Sequence, residues 1–119
     1  MRVVDSGDSI VAHVAVDLDE IVERWMMGLT IETPAGQRVY GINTHAVGVE
    51  LKTGAGRHDV EFTLPRIHFA EGDYVVRVGI AEVPGEMMDS QAQAATFSVN
   101  SPTPGNGVVA VDTVIDVLS

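Results

Sequence analysis

The sequence predicts a single all-β sandwich domain, and three observations carry that expectation. Apolar residues recur with period two along most of the chain, the repeat of a half-buried strand. Glycine and proline turn signals interrupt these runs at intervals of roughly 8–12 residues, the pattern of a sandwich or barrel. The runs themselves are rich in Val, Ile and Thr, side chains that suit a pleated surface. At 119 residues the chain fits one domain, and a chain of this size buries roughly two-thirds of its unfolded surface.

In chain order, Ser6-Gly7-Asp8 is a turn that precedes a strand over 10–18. There Ile10, Ala12, Val14 and Val16 share one face, and Val11, His13, Ala15 and Asp17 the other. Residues 18–27 are the one helical candidate, because Ile21 and Trp25 stand four apart. Trp25, Met27, Leu29 and Ile31 also alternate, which favours a loop or single helical turn over 19–23 and a strand over 24–32. Thr33-Pro34-Ala35-Gly36 and Thr53-Gly54-Ala55-Gly56 are turns. Val60, Phe62 and Leu64 mark the next strand. The Glu71-Gly72-Asp73 turn introduces a strand over 74–82, with Tyr74, Val76, Val78 and Ile80 facing away from Val75, Arg77, Gly79 and Ala81. After Pro84-Gly85, an unusually small run of residues, 91–96, leads to Phe97 and Val99. Pro102 and Pro104 cannot join a central ladder, so 100–106 reads as a tether to a last strand over 107–118.

Seventeen Asp and Glu against seven Lys and Arg leave a net charge of -10. Such a chain repels phosphate backbones and has no basic stripe, which argues against nucleic acid as a partner. No stretch approaches the roughly 20 apolar residues of a spanning helix, and the N-terminus lacks the features of an export signal. With no cysteine, thiol nucleophiles, disulfides and cysteine-based zinc sites are excluded. His13, His45, His58 and His68 share no i, i+2 or i, i+4 spacing, so no single element presents a metal-binding pair. No G-x-S-x-G elbow surrounds any serine, and the one lysine, Lys52, lies outside any phosphate-loop pattern. The expectation is a non-catalytic domain without metal or cofactor.

Binding is what the residues leave room for. On the face opposite the core, Arg77 offers a planar fork of donors, and Gly79 and Ala81 leave space beside it. His13, Gln93 and Thr96 join it if their strands are its neighbours. Arg77 reads equally as a solvated surface charge, and the small run as packing beneath a loop. Trp25 and Tyr40 either stack on a sugar ring or fill the core.

Several segments, in order, resemble a known family. They are Gly7-Asp8-Ser9-Ile10, Leu29-Thr30-Ile31-Glu32, the Val39-Tyr40-Gly41-Ile42-Asn43-Thr44 strand and the pair Phe62-Thr63-Leu64-Pro65 with Glu71-Gly72-Asp73-Tyr74-Val75-Val76-Arg77-Val78. Ala95-Thr96-Phe97-Ser98-Val99 and Gly107-Val108-Val109 complete the succession. It resembles the C-terminal domain of the ATPase subunit of polysaccharide-exporting ABC transporters, the Wzt type. Two features depart from that family: Val114 and Ile115 stand where an aromatic is expected, and the chain begins close to Gly7, without a full leading strand.

The resemblance implies an immunoglobulin-like antiparallel sandwich of about eight strands that recognises the exported glycan. It implies a homodimer formed by exchange of the last strand, and a fragment of a longer protein that includes an ATPase. It also implies a cytoplasmic place at the inner face of the membrane, through the parent transporter and without direct membrane insertion. Tyr40, Asn43 and Thr44 enter as further candidate glycan contacts on this ground. The acidic balance suits a neutral polysaccharide. Two other readings stay open: a structural dimerisation sandwich that binds no sugar, and an adhesion-type sandwich.

Overall fold

A computed structural model describes residues 2–21, 23–83, 86–102, 105, 107–111 and 113–118, with the backbone alone for 86–94. Among them are seven strands and no helix: β1 (Arg2–Asp5), β2 (Ile10–Leu18), β3 (Trp25–Glu32), β4 (Arg38–Asn43), β5 (Gly56–Leu64), β6 (Gly72–Glu82) and β7 (Glu86–Asn100). They form a five-stranded sheet in the order β1-β7-β6-β3-β4 and a two-stranded sheet of β2 and β5. All pairs are antiparallel except β1 with β7.

The period-two patterns decide which faces meet. Trp25, Met27, Leu29 and Ile31 of β3 are buried, as are Tyr74, Val78 and Ile80 of β6. They pack against the partly buried apolar side of the small sheet, Ile10, Ala12, Val14, Val16, Val60, Phe62 and Leu64. Two clusters result. One gathers Leu18, Trp25, Met27, Val78 and Ile80; the other gathers Leu29, Ile31, Ile67, Tyr74, Phe97 and Val99. Phe62 touches both and joins them into one core.

Tyr74 pins the entry to β6. Its hydroxyl donates 2.6 Å to the Ala70 carbonyl, and its ring lies 5.4 Å from Phe97 in a stacked arrangement. A tyrosine at the start of a strand, bonded to the backbone a few residues upstream, is the corner found in immunoglobulin-like sandwiches. Burial raises the Tyr74 phenol above its ordinary pKa, because a buried phenolate would lose its hydration.

The structure refines four points. Residues 19–24 contain bends and no helical turn among those described, and the strand starts at Trp25. A leading strand does exist: Arg2–Asp5 lies parallel to β7 with Arg2 opposite Phe97. The small run 91–96 lies within the long β7. Among its described residues, the expected last strand forms no ladder within its own chain. Among the described residues it makes one bridge, Val109 to Phe69, flanked by backbone bonds from Ala70 to Val108 and from Ala110 to His68. Beyond it, Val114, Ile115, Val117 and Leu118 are 85–92 % exposed. The radius of gyration is 17.3 Å, against about 13.5 Å for a compact chain of this length, in keeping with an arm that leaves the body. The 84–85 turn and much of the 100–106 tether lie outside the described residues.

Candidate binding groove

The outward face of the large sheet is set by register. Across β4, β3 and β6, Asn43, Gly28 and Gly79 stand in one row, and Gly41, Thr30 and Arg77 in the next. Arg38 then stands opposite Glu32, past a bulge. These side chains border a recess of about 580 Å³, within the size range of small-molecule sites. Two glycines in its floor are not demanded by the backbone. Neither Gly28 nor Gly41 has positive φ. An added Cβ would meet only ordinary contacts, at 3.7 Å for Gly28 and 3.8 Å for Gly41. Glycine inside a strand weakens it and often marks a close approach by another group.

Polar groups along the groove are held in place. Arg77 Nε donates to Glu32 Oε2 at 2.6 Å, with Arg77 39 % and Glu32 18 % exposed. That bond orients the guanidinium and leaves its terminal amino groups as donors. Asn43 Oδ1 accepts from the Ala46 amide at 2.7 Å, which fixes the 43–46 turn at the groove's end.

The candidate residues divide. Arg77 and Asn43 border this groove. Thr96 stands on β7 opposite Val75, in the same sheet as Arg77. It borders a different recess of about 300 Å³, between β7 and the edge of β2. Gln93 lies on β7, and its side chain is outside the described set. His13 is on the other sheet, so it does not join Arg77. It lies 2.8 Å from Asp59 and 3.8 Å from Glu61. Arg57 also bonds Asp59, and the Arg57 and His13 contacts hold that carboxyl at about 2, well below its ordinary value. On that exposed face Asp59 is the shared partner of Arg57 and His13.

Tyr40 stands opposite the core residue Ile31 on edge strand β4 and does not border the groove. Thr44 is 4 % exposed. Its hydroxyl accepts from the Met27 amide at 3.1 Å, and its own amide donates to the Met27 carbonyl, so it extends the β3–β4 ladder inward. Trp25 belongs to the core: its indole donates to the Lys52 carbonyl at 3.0 Å and its ring meets His58 edge-on at 5.1 Å. Glu32, Arg38, Gly28 and Gly41 were not singled out from the sequence. The outward positions of β3 (Met26, Gly28, Thr30, Glu32) alternate with the buried ones, and that alternation was the available signal. Among the described residues no group of three or more His, Asp or Glu is placed to hold a metal ion, and no helix is long and apolar enough to cross a membrane.

Fold and groove together define an immunoglobulin-like β-sandwich with a polar recess on its larger sheet. The model of the Wzt C-terminal domain family matches residues 1–111, and the chain belongs to that family. A solved structure described as the crystal structure of the C-terminal domain of Wzt superposes with a TM-score of 0.77 at 19 % identity. The match covers 95 % of this chain and 72 % of that one, a likeness of fold. A search of curated protein sequences returned no match.

Proposed function

We propose that this domain binds a polysaccharide in the groove over β4, β3 and β6. In this reading it serves as the recognition domain of the ATPase subunit of an ABC exporter, at the inner face of the membrane. The observation that carries the reading is the unforced glycine floor beside the Arg77–Glu32 pair. A flat floor admits a sugar ring, and an oriented fork of donors gives its oxygens fixed partners. Family membership supports the transporter context, through the resemblance of the 39–44, 60–65 and 71–78 segments.

The same reading includes a homodimer in which residues 107–118 of each chain pair with the sheet of the other. What supports it is the exposure of an arm rich in Val and Ile, a composition that in water invites pairing or aggregation. Titration of the unsubstituted chain with polysaccharide purified from the surface of the encoding strain tests the binding claim. Saturation supports it. A dimer that binds nothing favours the structural dimerisation sandwich, and a monomer that binds nothing contradicts both.

A further inference from the structure

We infer that the open seam between β2 and β7 is the acceptor for residues 107–118 of a second copy. The inference deepens the homodimer reading above and rests on it. The two sheets are unequal in width, since five strands face two. With about 4.8 Å between neighbours, the large sheet is roughly 19 Å across against about 5 Å. The small sheet therefore leaves part of the larger one without a strand above it. Its two sides differ. Where the chain leads into β5, it already covers the core: Leu51 packs on the Trp25 cluster. The Lys52 carbonyl there accepts from the Trp25 indole, and the Gly54 carbonyl lies 2.8 Å from His58 Nε2.

The β2 side has no such cover. Among the described residues β2 pairs with β5 alone, and β1 borders only Phe97–Asn100 of β7. Above β1 the two unpaired edges flank the recess of about 300 Å³, where Val4, Ile10, Ala12, Val76, Ala95 and Phe97 supply an apolar lining. The arm has the complementary pattern. Val109, Val111, Thr113, Ile115 and Val117 share one side, and Asp112 and Asp116 lie on the other. Laid along β2, its apolar side fills the recess and its acids stay in water near Arg2, a cation that borders the recess. In its own chain the arm leaves the body just past the Val109–Phe69 bridge, and Val114, Ile115, Val117 and Leu118 stay exposed. Two copies that exchange arms in this way form a closed, self-complementary pair and cover edges that otherwise invite aggregation.

The test is paramagnetic NMR on mixed dimers of the full chain. The sequence has no cysteine, so Ser119→Cys takes a single nitroxide at the end of the arm and leaves the pairing residues intact. Mixed with a nitrogen-15-labelled unsubstituted copy, it should erase the amide signals of residues 10–13 and 95–97 in that copy. The amides of β4, 38–43, should keep theirs. Val11→Lys should weaken dimerisation at least about tenfold in sedimentation, because a lysine on an edge opposes strand addition. Val11 is 51 % exposed, so the variant keeps the fold, and circular dichroism checks that. Loss of signal at 38–43 instead, or at no strand of a sample that sediments as a dimer, overturns the inference and leaves the dimer standing. Loss only when nitroxide and isotope share one chain places the arm on its own seam and overturns it too. A monomer overturns this inference and the homodimer reading together.

Discussion

Arg77 of β6 and Glu32 of β3 meet at 2.6 Å on the outward face of the large sheet, diagonal rather than directly opposite in the register. Arg77 stands opposite Thr30, and Glu32 opposite Val75. The bond ties the end of β3 to the middle of β6 and holds the guanidinium over the groove. Replacing the carboxylate should therefore affect binding more than folding. Glu32→Gln should cost about 1 kcal/mol of stability, since the pair is only partly buried and solvent still screens it, while polysaccharide affinity falls several-fold. Urea melts and titrations of the same preparations check both; a stability loss of several kcal/mol would make the pair structural.

Tyr74→Phe removes one buried hydroxyl bond, to Ala70, and keeps the stack on Phe97. It should cost about 1 kcal/mol in urea denaturation, the net worth of one such bond. No change would mean that the Tyr74 hydroxyl does not stabilise the corner.

The Asp59 carboxyl is held at about 2 by its bonds to Arg57 and then His13, against about 3.9 in an unfolded chain. A depressed folded-state value stabilises above the unfolded pKa, and the contribution fades as pH falls from there through about 2. Arg57→Ala should raise the Asp59 pKa and reduce this acid dependence. Carboxyl NMR titrations of both proteins measure the shift; an unchanged Asp59 would contradict the assignment to Arg57.

Deleting residues 107–119 should turn a dimer into a monomer or an aggregate. Sedimentation at tens of micromolar, roughly where exchange should be complete, checks it, and an intact chain that sediments as a monomer excludes the exchange.

Much of the fold was legible because burial follows period two. The faces of β2, β3 and β6 were readable from Ile10 to Val16, Trp25 to Ile31 and Tyr74 to Ile80. What escaped depends on pairing between distant segments. Nothing local to Arg2–Asp5 says that it lies parallel to β7, and four residues are too few for a periodic signal. His13 fell outside the groove for the same reason, since strand order, not strand pattern, put β2 in the other sheet. Thr44 entered as a candidate glycan contact through the resemblance, but its hydroxyl fills the place of a backbone partner for Met27. Arg77 was readable from alternation alone. Glu32 and Arg38 required the β3–β4 register and its bulge.

The central claim is that the groove beside Arg77 binds glycan. Calorimetric titration of the intact chain and of Arg77→Ala with the encoding strain's surface polysaccharide tests it most directly, with circular dichroism to confirm folding. Saturable binding by the intact chain, weakened at least about tenfold or about 1.4 kcal/mol in a folded Arg77→Ala, is the predicted result. Equal binding by the two proteins would contradict it.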